Sequence, residues 1–448
     1  MYQLSKYNYF IPCSGRIIFF NGVSGQVFST SEKEYQFLQE QFADPISFKI
    51  HYNSVFTKFK EWGFIIDEQK DELDVIRLRN RRAVFSSRTY NLILNPTLEC
   101  NFNCWYCYEQ HPKGYMSEST IDIVKKHILW MVEKERIDGL ELSWFGGEPL
   151  MYFNKVIYPI AKYAQELMKE HKLAFLHSAT TNAYLIDPKM TERFNEIGLN
   201  RFQITIDGDE QRHDQIRNVN GRSTFKRIMA NINLLCEKIP SVHITLRVNY
   251  DNETLERCNL EEVLSMILQS YRKNISVSFH RVWQTSDGMG DEYDKKIYWQ
   301  KFSDKLGFRP CYISNMFTVN EGNTCYADRY YHAEINYDGK VFRCTARDYS
   351  DRYAMGEVMD DGRIEWNADK MAQQYGKATF ENEMCIVCKH LPICNGPCSQ
   401  KIIETPSENL DSICSLKYSE VTPETFIIDL YEKKIKGLSE KAESKAVV

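Results

Sequence analysis

A chain of 448 residues is long enough for about two to three domains. Charged residues make up 26%, hydrophobic residues 43%, and the formal net charge is -5, a globular balance that excludes wholesale disorder, a collagen-like fibre and a strongly basic nucleic-acid binder. No stretch approaches the roughly 18 apolar residues of a membrane-spanning helix, and the start, MYQLSKYNYFIPCSGR, lacks a charged segment followed by an apolar core. The expectation is a cytoplasmic protein with neither a membrane nor a nucleic-acid partner. Its 14 cysteines, in a compartment that keeps thiols reduced, point to metal binding rather than disulfides.

Residues 1–66 read as a unit of their own. YNYFIP and RIIFFNGVSGQVFST predict two or three short strands; EKEYQFLQEQF and NSVFTKFKEWGFII predict helices, the second carrying Val55, Phe56, Phe59, Trp62 and Phe64 as apolar surface. This order fits a winged-helix-like module. Residues 67–90 are charged, poor in periodic apolar positions, and read as linker. Over 91–305 the β-rich runs NLILNP, LELSWF, AFLHSATT, RFQITI, VHITLRV and ISVSFHRV alternate with helical stretches. The clearest of these is STIDIVKKHILWMVEKE, with Ile121, Val124, Ile128 and Val132 on one stripe. The alternation predicts an α/β fold with a parallel sheet, and the apolar runs predict strands buried on both faces in a barrel-like or doubly wound arrangement. Ligands then sit at the C-terminal strand ends. Residues 306–430 are rich in cysteines and turns (NYDGK, MDDGR, CNGPC), as where metal clusters replace an apolar core, and 431–448 read as a tail.

Cys100, Cys104 and Cys107 form C-x3-C-x2-C directly after the first run of the alternating region. Three thiolates on one loop suit an iron-sulfur cluster better than zinc, whose structural sites take four ligands and for which His111 is the nearest further candidate. A four-iron cluster on three cysteines leaves one iron open to a small ligand, which is a catalytic design. With Tyr106 in its aromatic position, the loop resembles the hallmark of the radical S-adenosylmethionine (radical SAM) superfamily. The resemblance implies a partial (β/α)6 barrel in which S-adenosylmethionine chelates the open iron through its amino and carboxylate groups. One-electron cleavage then releases methionine and a 5'-deoxyadenosyl radical that abstracts a substrate hydrogen. It also implies cofactor contacts. Gly146, Gly147 and Glu148, followed by Pro149, resemble the GGEP motif that holds the methionine ammonium, the alternative being a plain Gly-Gly turn. Thr181 and Asn182, in Thr180-Thr181-Asn182, resemble TTNG with Ala183 in place of its glycine. Asp207-Gly208 resembles the DG at the end of the fourth strand. Arg217, in HDQIRNVNGRSTF, would pair with the cofactor carboxylate, the alternative being a surface arginine in a charged loop.

The later cysteines run Cys325-x13-Gly339-x4-Cys344, then Cys385-x2-Cys388-x5-Cys394-x3-Cys398, then Cys414. A zinc ribbon would explain Cys385, Cys388, Cys394 and Cys398. The full spacing resembles the seven-cysteine SPASM signature, which implies a C-terminal SPASM domain with two auxiliary clusters and so three [4Fe-4S] clusters in all. It assigns Cys385, Cys388, Cys394 and Cys414 to one auxiliary cluster and Cys325, Cys344 and Cys398 to the other. Cys311 is either the eighth ligand or a buried apolar cysteine, and Cys13, Cys236 and Cys258 read as small core residues.

The resemblance covers residues 91 to about 418 and implies a maturase that cross-links a ribosomally made precursor peptide through a C–S, C–C, C–O or C–N bond. A low-potential donor such as flavodoxin or ferredoxin would supply electrons. Residues 1–66 weakly resemble a leader-peptide-recognition domain, where a peptide adds to a sheet edge. One alternative is an anaerobic sulfatase maturase making formylglycine, against which Thr345 follows Cys344 and the nearest acid is Asp348. The other, a non-catalytic iron-sulfur electron carrier, leaves GGEP and the strand-end residues unexplained.

Overall fold

Aromatic runs near the N-terminus build three antiparallel strands, β2 (Asn8–Cys13), β3 (Arg16–Asn21) and β4 (Val27–Ser31), while β1 (Tyr2–Leu4) stands apart and pairs with β5 (Ile65–Asp67). Ser14 (φ 49°) and Gly15 (φ 74°) close the β2–β3 hairpin in the doubly left-handed turn that matches strand twist. Helix α1 (Glu32–Ala43) starts at a Ser31–Glu34 capping box, and α2 (Pro45–His51) and α3 (Asn53–Glu61) follow. Phe19, Phe42, Phe48, Phe56, Phe59 and Phe64 fill the core between sheet and helices. Val55, expected on that apolar face, is exposed.

The computed structural model describes residues 1–282, 284, 292–311, 317–319, 324–419 and 421–446. The chain divides into two units: Met1–Ser86 with Ser314–Asp328 and Gln373–Val448, and Ser87–Ile313 with Arg329–Ala372. Within the first, much of the stretch read as linker is helix α4 (Glu72–Phe85), capped by Asp71 and burying Ile76 and Val84. Two buried aliphatics among many charges leave little periodicity to read. The stretch read as a tail belongs to a helix, Pro423–Ala446, with 447–448 outside the described residues.

In the second unit, β6 (Thr89–Leu94), β7 (Gly139–Trp144), β8 (Ala174–Thr181), β9 (Arg201–Ile206), β10 (His243–Tyr250) and β11 (Ile275–Arg281) are parallel and adjacent in chain order. Helices α5 (Glu118–Glu133), α6 (Tyr158–Glu170), α7 (Pro188–Glu196), α8 (Glu210–Ile216) and α9 (Phe225–Lys238) lie between them in sequence, and the α5 stripe of Ile121, Val124, Ile128 and Val132 is buried. This is the α/β architecture expected of six strand-helix alternations. The expectation of strands apolar on both faces does not hold. Leu142, Trp144, Ile204, Ile206, Leu246, Val248 and Val277 are buried, but they alternate with Ser143, Gln203, Thr205, Arg247 and Ser278, which are half-buried. One face is a packed core and the other is polar.

The sheet continues where the sequence shows only turns and cysteines. Strand β12 (His332–Ile335) adds parallel to β6, and β13 (Lys340–Phe342), β14 (Gly356–Val358) and β15 (Ile364–Trp366) follow antiparallel, with NYDGK and MDDGR as the connecting turns.

Candidate active site

The loop after β6 carries the three cysteines, and two glycines after β7 let it sit where it does. Gly146 (φ 77°) and Gly147 (φ 47°) occupy the left-handed region, and a Cβ on Gly147 would lie 2.1 Å from the Glu99 carbonyl oxygen. Glu148 N–H donates to that same oxygen (2.8 Å), and Gly147 N–H donates to the Glu109 carboxylate (2.7 Å). The Gly-Gly turn is thus pressed onto the backbone that leads into Cys100. Cys100, Cys104 and Cys107 line one cavity together with Tyr106, Gly147, Thr181, Asn182 and Arg217. His111, the further zinc candidate, also faces it, but its Nδ1 is 2.8 Å from the Leu98 carbonyl oxygen. Among the described residues no three His, Cys, Asp or Glu side chains are grouped to hold a metal ion. Three cysteines spread around one cavity is instead the donor set for a cluster of several irons bridged by sulfide.

Burial pushes the Cys100 thiol up to about 12, with Glu148 adding to it, and raises Cys104. Such thiols are inert as they stand and become thiolates where iron takes up their charge.

Tyr106 organises the strand ends around the loop. Its hydroxyl donates to Asp207 (2.8 Å) and accepts from Arg217 Nη1 (2.8 Å) and Asn249 Nδ2 (3.0 Å), while Arg217 Nη1 lies 3.4 Å from the Asp207 carboxylate. Burial raises the Asp207 carboxyl, and Arg217 opposes that rise. The Arg217 side chain is only 12% exposed, so its reading as a surface arginine is overturned. Arg217 Nε and, beside Cys100, Asn101 Nδ2 are buried donors with no partner, the complement of a ligand that brings acceptors such as a carboxylate. These observations fit a cofactor with an α-carboxylate next to the cluster loop.

Glu148, which the motif resemblance assigns to the methionine ammonium, is also tied to the neighbouring strand end. Buried at the end of β7, its carboxylate accepts from Leu150 N–H (3.0 Å), Thr181 Oγ1 (2.7 Å) and Asn182 N–H (2.7 Å), which joins the β7 and β8 ends. Burial raises its pKa and these donors oppose the rise. Ala183 stands at φ 60°, the left-handed backbone that a glycine adopts without strain. Glu109, Arg247 and Asn249 were not legible: each is a single polar residue outside any motif, and only the register of β10 with its neighbours brings the last two to the site.

The later cysteines fall in both units. Cys385, Cys388, Cys394 and Cys414 belong to the first, where burial pushes Cys394 up to about 11 and the other three add to it as neighbours. Cys325 and Cys398 are in that unit too, and their turns are tied together: Asp328 N–H donates to the Cys325 carbonyl (3.0 Å), and Asp328 accepts from Ser399 N–H (3.3 Å). Cys311 and Cys344 belong to the second unit, and Cys311 is half-buried. Of the cysteines read as core, Cys236 is buried, whereas Cys13 and Cys258 are half-buried. No described helix is long and apolar enough to cross a membrane.

Residues 94–264 match the family model of the Radical SAM superfamily. The chain is 28% identical over 159 residues to the radical SAM cyclopropyl synthase TigE of Paramaledivibacter caminithermalis, covering 31% of this chain and 33% of that protein. It is 28% identical over 200 residues to the AdoMet-dependent heme synthase of Methanosarcina barkeri, covering 44% and 52%. The chain therefore spans between a third and about half the length of these two relatives. Among solved structures, anSMEcpe with bound AdoMet superposes with a TM-score of 0.55 at 18% identity, covering 77% of this chain and 99% of that one. SuiB of Streptococcus suis, bound to precursor peptide SuiA, superposes with a TM-score of 0.51 at 17% identity, covering 93% and 100%. At such identities the likeness is one of fold.

Proposed function

From the radical SAM domain that this chain carries over residues 94–264, we propose that the protein is a maturase that modifies a ribosomally made precursor peptide, forming a cross-link from a carbon that has lost hydrogen. The observation that carries the cofactor assignment is the cavity shared by Cys100, Cys104, Cys107 and Arg217, with the orphan donors Arg217 Nε and Asn101 Nδ2 beside it. When bound there, a [4Fe-4S] cluster and S-adenosylmethionine supply reductive cleavage and hydrogen-atom abstraction. The chain's residues do the rest. The three cysteines hold iron, Arg217 and Asn101 offer donors to the carboxylate, Gly146 and Gly147 offer backbone groups, and Tyr106 with Asp207 keeps Arg217 aimed. Glu148 acts through Thr181 and Asn182 by fixing the β8 end.

The later cysteines support two auxiliary clusters. The mutual proximity of Cys385, Cys388, Cys394 and Cys414 favours the first, and the tie between the Cys325 and Cys398 turns favours a second that includes them; Cys344 and Cys311 are further candidates on the SPASM resemblance alone. Replacing Cys311 by Ala should then lower the iron content. Peptide as substrate is supported by the fold shared with SuiB, solved with SuiA, and with anSMEcpe, solved with a Cp18Cys peptide. A sulfatase maturase is disfavoured at Asp348, whose carboxylate is engaged by Ser350 N–H (3.1 Å) and Oγ (2.7 Å).

The test is anaerobic reconstitution with iron and sulfide, a strong reductant and S-adenosylmethionine, with and without the peptide encoded by a short neighbouring reading frame. Production of 5'-deoxyadenosine with a mass change in the peptide is the expected result. No 5'-deoxyadenosine would refute the radical SAM assignment, and 5'-deoxyadenosine without any peptide change would refute the maturase assignment.

A further inference from the structure

The polar face of β10 and β11 carries, in Arg247, a positive charge that no carboxylate touches among the described residues, with Asp207 acting on it only at a distance. Arg247 and Asn249 lie in register with Ser278 and His280 of β11, and on its other side Arg247 pairs with Thr205 of β9, which lines the cysteine cavity. The Arg247 guanidinium makes one hydrogen bond, from Nε to Asn249 Oδ1 (2.8 Å), and among the described residues no carboxylate pairs with it. Asn249 in turn donates to Tyr106, so Arg247 is two hydrogen bonds from the cluster loop. The Asp207 carboxylate is already held by Tyr106 and Arg217. His280 supplies no countercharge, since burial, Arg247 and Lys296 all work against its imidazolium. A half-buried guanidinium that has lost part of its hydration and has no anion in contact carries a cost, which is recovered when an anion arrives. The cofactor's carboxylate is already matched by Arg217 Nε and Asn101 Nδ2. Arg247, one strand further round, therefore answers to something else.

We propose that Arg247 is the specificity-determining contact for a carboxylate on the substrate, gripped by Nη1 and Nη2 as a two-pronged pair. This rests on the peptide-maturase reading and deepens it: the substrate presents either an acidic side chain or its C-terminal carboxylate to the barrel beside the cofactor cavity. The planar fork matches the two oxygens of a carboxylate, and partial removal from solvent strengthens the pair relative to the same contact in water. A substrate with an amide there leaves the half-buried guanidinium unpaired, which is the basis of the selection.

Three synthetic peptide pools with identical randomised flanks test this on the reconstituted holoenzyme with S-adenosylmethionine. The first has Asp or Glu at the centre and an amidated C-terminus, the second Asn or Gln at the centre and a free C-terminal carboxylate, and the third Asn or Gln with an amidated C-terminus. Retained peptides are counted by mass spectrometry after ultrafiltration. The expected result is retention of the first or the second pool over the third by at least about tenfold, the pool identifying which carboxylate is read. Arg247→Gln should abolish the preference, and Arg247→Lys, which keeps charge but not the fork, should keep part of it. Should the Gln variant fail to fold, mapping phenylglyoxal adducts on the unmodified protein gives the same answer, with Arg247 shielded by the preferred pool and not by the third. Equal retention of all three pools, preference unchanged in Arg247→Gln, or an unshielded Arg247 would overturn the proposal. Retention of none of the pools would overturn the peptide reading, and this proposal with it.

Discussion

Adding one methyl group at Gly147 tests whether the turn after β7 sets the position of the cluster loop. The new Cβ would lie 2.1 Å from the Glu99 carbonyl oxygen and 2.6 Å from the Leu98 carbonyl carbon. Ordinary contact between such atoms needs about 3.5 Å, so the backbone just before Cys100 must withdraw by more than about 1 Å. Overpacking of this kind costs about 1–3 kcal/mol, and φ 47° adds about 1–2 kcal/mol for an alanine. The hydrogen bond from Glu148 N–H to the same carbonyl, 2.8 Å, would be stretched as well. A displacement near 1 Å at a catalytic group lowers rates by about 10²-fold, and that loss is expected for 5'-deoxyadenosine formation by Gly147→Ala, together with reduced iron per chain. Gly307→Ala is the control, because Gly307 shares a positive φ (88°) but has nothing within 4 Å of its Cβ position. It should cost stability alone. A Gly147→Ala protein with wild-type iron content and turnover would refute the reasoning.

Replacing Cys100, Cys104 and Cys107 together by Ala should abolish 5'-deoxyadenosine formation while leaving the iron of the later cysteines, and surviving cleavage would contradict the site. Ala183→Gly releases the left-handed strain at φ 60° and should stabilise the protein by up to about 1 kcal/mol. A lowered thermal midpoint would count against it. His127 is buried between Tyr90 OH (2.7 Å) and the Gly362 carbonyl (2.7 Å), and burial pushes its pKa down to about 4. Between pH 6.5 and 4 the unfolded chain therefore binds the proton that the folded one refuses, and stability falls as pH falls. The loss reaches about 3 kcal/mol near pH 4. The stability gap between wild type and His127→Gln should thus narrow over that window in urea titrations, and a constant gap would show that His127 does not titrate as described.

What the sequence disclosed depended on repetition and on motifs. Six β-rich runs predicted β6 to β11, because each carries enough apolar residues to stand out between amphipathic helices. Strands β13, β14 and β15 are three residues long and were hidden among turns. The polar face of the sheet was missed for a related reason: Thr and Arg in VHITLRV, and Ser in ISVSFHRV, sit among strong β-formers and read as part of the strand before they read as lining. Arg217 could be found because a motif pointed to it. Arg247 could not, since its significance lies in Thr205 and Ser278 on either side, which pairing between strands reveals and spacing along the chain does not.

Because β12 pairs with β6, the order of synthesis matters. Asn91 and His332 meet across that ladder although 241 residues separate them. At about 5–20 residues per second, a ribosome needs about 12–50 s after making β6 before β12 exists. Throughout that interval β6 is an open edge, its N–H and C=O groups able to template pairing with another nascent chain. A chain that stalls before residue 332 is thus an aggregation hazard, and holdase chaperones that cover a strand edge are the helpers such a biogenesis calls for.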